Sequence, residues 1–204
     1  METSKAKAYK QKGKNKMKKI IILLITISSI YANGIMGVEL GGNLSNAVKK
    51  LNDNGLVMVE GSTSKDTTIY HIEEFASYDS RYLVIIHDVN NVVVKVAVMM
   101  SPNYKISIWS DFDKLSESLS KKYIAGKNYE TYVQPYKKND GYTHQAMRLN
   151  KLFKSAFFSN DAIDIVMRVR NAADSKFTIL LAYEHKALFG AHIDKNKKLA
   201  DSEL

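Results

Sequence analysis

YLVIIHDVNNVVVKVAVMM, residues 82–100, decides the fold. Two β-branched, nearly uncharged runs, Tyr82–His87 and Val92–Met100, flank Asp88-Val89-Asn90-Asn91. Such runs suit a pleated, buried surface, and Asp and Asn between them suit a tight reversal. The stretch predicts a β-hairpin at the middle of an antiparallel sheet. Strand alternation sends Val92, Val94, Val96 and Val98 to one face and Val93, Lys95, Ala97 and Met99 to the other. One face is wholly apolar and must be covered; the other is mixed.

Towards the N-terminus, Thr67–Ser77 reads as a strand that turns into the hairpin at Tyr78-Asp79-Ser80-Arg81. Before it lie a short strand, Leu56–Glu60, and a polar loop, Gly61–Asp66. Asn43–Asn54 places Leu44, Ala47, Val48 and Leu51 at helical spacing, with Asn43 or Ser45 as N-cap and Gly55 as the stop. Gly41-Gly42 ahead of it suits a tight entry turn. Towards the C-terminus, Ser101-Pro102-Asn103 ends the sheet run. Trp109, Phe112, Leu115, Leu119 and Tyr123 then form the stripe of a second helix over Ile108–Tyr123, with Ser110 and Asp113 as a capping pair. Tyr129–Val133 is a strand, Pro135–Gly141 a loop and Thr143–Asn150 a short helix. Leu152–Phe158, Ala162–Arg170 and Lys176–Glu184 are the last three strands. The polar tail 187–204 is expected to fray.

This element order predicts an α+β fold: an antiparallel sheet with helices on one face, built from two tandem αβ4 units, 43–100 and 108–184, within a single domain spanning 33–186. The order looks like that of the β-lactamase-inhibitor proteins, whose tandem units present a sheet to a partner. Short motifs carry a second likeness. Met36-Gly37-Val38-Glu39-Leu40-Gly41-Gly42 precedes the first helix, Phe75-Ala76-Ser77-Tyr78 is an aromatic strand and small turn before the valine-rich strand, and Lys122-Tyr123 closes the second helix. In these the chain resembles small signal-peptide-bearing proteins exported by gut anaerobic bacteria. That resemblance implies fold and export, and no activity.

Residues 1–32 read as an export signal. Met17-Lys18-Lys19 is a basic start, Ile20–Ile30 an apolar core about half the roughly 20 residues of a bilayer span, and Ala32 a small residue at a cut site. Met17 is the expected translation start. The whole chain carries 30 Lys+Arg and 21 Asp+Glu. Without the eight lysines and Glu2 of that segment, 22 basic face 20 acidic residues, a net of +2. The basic balance therefore belongs to the leader, and nucleic acid is not an expected partner. Nor is a membrane span expected once the signal is cut. The absence of cysteine excludes disulfides, thiolate metal sites, a cysteine nucleophile and a lipid-modified anchor.

No P-loop, dinucleotide-binding or zincin pattern occurs in the mature chain. His71 and Glu73, two apart on a strand, share a face and supply two of the ligands a metal would need; His87 with Asp88 can orient an imidazole for acid–base work. Both pairs are equally ordinary strand and turn residues. Lys95, Asp164, Arg168 and Arg170 lie on the mixed sheet face, which is left to solvent or a partner. Tyr132 and Tyr136, in a tyrosine-rich insertion with Tyr129 and Tyr142, offer rigid contact area with a polar tip, or pack the core. The expectation is an exported binding protein, periplasmic or secreted, without catalytic residues or cofactor, using Lys95, Arg168, Arg170, Tyr132 and Tyr136 on a protein or glycan partner. The alternatives are a hydrolase or metal-dependent enzyme built on His71, Glu73 or His87, and a structural envelope component that pairs with its own copy.

Overall fold

Asp88 makes the predicted reversal. Its Oδ1 accepts the N–H groups of Asn90 and Val92, both at 2.9 Å, and Asn91 takes φ 59°, a conformation asparagine tolerates well. The computed structural model describes residues 34–61 and 64–202. The expected export segment lies outside them. In chain order the elements are β1 Gly34–Ile35, β2 Val38–Glu39, α1 Leu44–Asp53, β3 Val57–Met58, β4 Thr67–His71, β5 Glu74–Phe75, β6 Tyr78–His87 and β7 Val93–Met100. Then follow α2 Lys105–Ser120, β8 Ile124–Ala125, β9 Tyr129–Tyr132, α3 Thr143–Arg148, β10 Leu152–Ser159, β11 Ile163–Asn171, β12 Phe177–His185 and α4 Lys186–Ser202.

The chain forms an α+β fold around one large antiparallel sheet. The strands run β3-β4-β6-β7-β12-β11-β10-β8 across it, with β5 beside β6 and β9 beside β10. Two meanders thus meet where β7 pairs with β12, Ala97 opposite Ala182. On the first face α1 contributes Ala47 and Leu51, α2 contributes Ile108, Phe112, Leu115 and Leu119, and α3 contributes Ala146 and Met147. They share one core with Leu83, Ile85, Val96, Val98, Ile165, Met167, Ile179 and Leu181. Each fully buried Val, Leu, Ile, Phe or Met side chain among these stabilises the fold by about 1.5–3 kcal/mol. Among the described residues no helix is long and apolar enough to cross a membrane.

Several expectations are corrected by backbone detail. The turn before the hairpin falls at Ala76-Ser77, both at positive φ (50° and 69°), with Phe75 opposite Tyr78; paired left-handed residues match the strand twist. Tyr78–Arg81 is therefore strand. In β7, His87 pairs with Val93 while Ile86 pairs with Lys95, so Val94 is an extra residue. This bulge lets Val93 join the core cluster with Val96 and Val98. Ser110 and Asp113 lie inside α2, which begins at Lys105 after Tyr104 and has no side-chain cap. Its start is tied instead to β12, because Asn103 and Phe177 exchange two backbone hydrogen bonds of 2.9 Å.

The C-terminal segment differs most. Residues expected as a fraying tail form α4, and it packs away from the other helices. Lys186 Nζ lies 3.6 Å from Asp164, His192 Nε2 lies 3.7 Å from Asp66, and the Phe189 ring sits 4.7 Å from Lys95 Nζ. Lys95 and Asp164 belong to the second face, so α4 crosses one end of it.

Candidate functional site

The register of the central strands sets out the second face as rows running across the sheet. Thr67, Ile86, Lys95, Glu184, Asp164 and Ser159 make one row; Lys95 and Glu184 pair at 2.7 Å, and α4 lies against it. Beside it runs Ile69, Val84, Ala97, Ala182, Val166 and Phe157, without one polar side chain. The third row is His71, Tyr82, Met99, Leu180, Arg168, Ser155 and Tyr129. Most members of the second and third rows keep part of their surface exposed. Ala97 and Ala182, at 4% and 3%, sit low between larger neighbours. A fully solvated sheet face would alternate polar residues against the core. Here an aliphatic band takes their place.

The five residues singled out from sequence are not brought together. Arg168 and Arg170 are exposed on the second face, and among the described residues neither guanidinium has an ion-pair or hydrogen-bond partner. Lys95 shares that face but is held by Glu184 and covered by Phe189. Tyr132 stands opposite Leu152, a core residue, and packs with Tyr136 against the core on the helix side. Burial is the main cause that raises the Tyr132 hydroxyl pKa, and that hydroxyl lies 3.0 Å from Glu130 Oε1. Of the insertion tyrosines, Tyr129 is the one that reaches the second face, its ring edge-on to Phe157 at 5.6 Å.

The catalytic alternatives gather no constellation. β4 ends at His71, whose ring lies 5.3 Å from that of Tyr82, and Glu73 accepts the Ser80 N–H through its backbone oxygen. His87 is buried, with Nδ1 3.0 Å from the Asp88 carbonyl oxygen, while the Asp88 carboxylate serves the turn. Among the described residues no group of three or more His, Cys, Asp or Glu is placed to hold a metal. A cleft of about 550 Å³ opens between α4 and the β6–β7 turn, lined among others by Lys65, Asp66, Asn90, His192 and Lys195. Asp66 Oδ1 is within 3.2 Å of the Ser64 and Thr67 hydroxyls, so this carboxylate, like that of Asp88, is occupied by local structure.

Sequence reasoning placed the basic residues of the second face and missed its aliphatic band. The signal was present in Val84, Ala97, Val166 and Ala182, apolar at positions that alternate away from the core. What joins them into a row is the β7–β12 pairing, which strand patterns do not reveal. Comparison with known proteins finds no matching family model, no matching curated protein and no matching solved structure.

Proposed function

We propose that the protein is an exported, non-enzymatic interaction protein, periplasmic or secreted, that docks a protein partner on the second sheet face. The observation that carries this reading is the row Ile69–Val84–Ala97–Ala182–Val166–Phe157 with Met99, Leu180 and Tyr82 beside it. Contiguous apolar surface rimmed by polar groups is the usual mark of an interaction site, and a broad aliphatic band suits a protein surface better than a sugar. A rigid sheet also presents its contacts already ordered, which lowers the entropic penalty of binding.

The same reading takes the sheet as two αβ4 units joined at Ala97 and Ala182. Support comes from the strand order, in which each meander follows a helix and the last strands of both meet at the centre. The docking face then spans both units, with its middle at their seam.

Affinity capture from envelope and culture fractions tests the reading, with the wild-type chain and Leu180→Gln compared side by side. Leu180 is half-buried on the second face, so the substitution removes apolar contact while leaving the core intact. A partner held by the wild type and lost by the variant supports the proposal. A partner retained equally by both contradicts it, and capture of glycan alone contradicts the protein partner.

A further inference from the structure

We propose that the partner of the second face is an acidic protein surface: an apolar ridge seated along the aliphatic row, flanked by Asp or Glu that meet Arg168 and Arg170. This rests on the docking reading and names the chemistry of its partner. The second and third rows contain no carboxylate, and the next position pairs Thr178 with Arg170. Among the described residues, Glu184 and Asp164 lie on this face in the first row and face Lys95 and Lys186, while Asp79 and Glu74 pair beyond the third row, near the start of β6. A third guanidinium, that of Arg81, stands 5.1 Å over the Tyr82 ring. The second and third rows, which lie between these carboxylates, are therefore apolar and cationic.

A partner that covered Arg168 and Arg170 without supplying carboxylates would strip water from two charges and return nothing, which opposes binding. A partner bearing Asp or Glu there forms planar, two-pronged guanidinium–carboxylate pairs. The same logic disfavours a second copy of this chain. Its matching face brings more arginine and no carboxylate in these rows, so like charges oppose face-to-face pairing. Salt acts on such pairs chiefly through the association rate, because the arginines flank the apolar row.

The test is selection of random-sequence peptides from a displayed library on the immobilised full chain. Enriched peptides are then measured against wild type, the double variant Arg168→Glu/Arg170→Glu, and Leu180→Gln. Both arginines are exposed, so the charge-reversed protein is expected to fold; Tyr129→Ala replaces Leu180→Gln should the latter melt early. The proposal expects peptides combining apolar residues with Asp and Glu, bound at least tenfold more weakly by the reversed variant and weakened by Leu180→Gln. Peptides lost with Leu180→Gln but indifferent to charge reversal, or enriched in Lys and Arg, overturn the acidic partner and leave the docking face standing. No enrichment, or binding indifferent to every variant, overturns the docking face itself.

Discussion

Lys95 and Glu184 stand directly opposite each other across the seam between β7 and β12, Nζ to Oε1 2.7 Å, each side chain about four-fifths covered. Phe189 of α4 lies over the ammonium at 4.7 Å. The pair is thus partly desolvated, between the exposed case, where an ion pair contributes little, and the buried one, where a lone charge is costly. Glu184→Gln is expected to destabilise by about 1–2 kcal/mol, because Lys95 stays covered without its counter-charge. Lys95→Met combined with Glu184→Gln should recover part of that loss. Urea unfolding of the four proteins of a double-mutant cycle checks this; simple additivity would show that the pair is not coupled.

Tyr70 is fully buried on the core side of β4, opposite Leu83. Among the described residues its hydroxyl is the buried side-chain polar atom with no hydrogen-bond partner. Tyr70→Phe removes that group and keeps the ring, so stability is expected to rise by about 1 kcal/mol. A loss of comparable size in thermal or urea unfolding would show that the hydroxyl is satisfied after all.

Ser77 is exposed and holds φ 69°, next to Ala76 at φ 50°. A non-glycine residue pays roughly 1–2 kcal/mol for this left-handed backbone. Ser77→Gly relieves the strain at the cost of some unfolded-state entropy. The expected net is stabilisation of about 0.5–1 kcal/mol, read from urea midpoints at unchanged slope.

Tyr183 and Tyr123 meet edge-to-face at 6.3 Å. Burial, and secondarily Tyr123, pushes the Tyr183 hydroxyl well above its ordinary value of 10.0; burial also raises Tyr123 and Tyr70. The folded protein therefore keeps protons that the unfolded chain releases near pH 10. Stability from these groups is intact below that pH and falls as pH rises above it. Phenolate absorbance should show these tyrosines ionising together with unfolding, above the ordinary tyrosine range.

Much of the fold was legible from local pattern. The reversal at Asp88, the cap at Asn43, whose Oδ1 accepts the Ser45 N–H at 2.8 Å, and the three closing strands all follow from residue types and alternation. The turn at Ala76-Ser77 was suggested by the family likeness but not by residue type, since neither Ala nor Ser favours the positive φ it takes; pairing of Phe75 with Tyr78 holds it. Nor was α4, whose lysine-rich composition masks Leu188 and Phe189. Its order comes from contacts at Gly41 and Lys95, far away in sequence. The candidate site was half visible: Arg168 and Arg170 stood out as charges in strands, whereas the aliphatic row depends on the joining of β7 to β12. Tyr132 and Tyr136 were read as a surface because a side chain's face in an edge strand is set by its register, here with Leu152.

The most direct test of the docking face is photo-crosslinking in cells that make the protein. A benzophenone side chain is placed singly at Val166 or Leu180 on the second face, and at Lys114 on the outer side of α2. The account predicts a discrete crosslinked protein species from Val166 and Leu180, absent from Lys114. Crosslinks from Lys114 alone, or none from Val166 and Leu180, would contradict it.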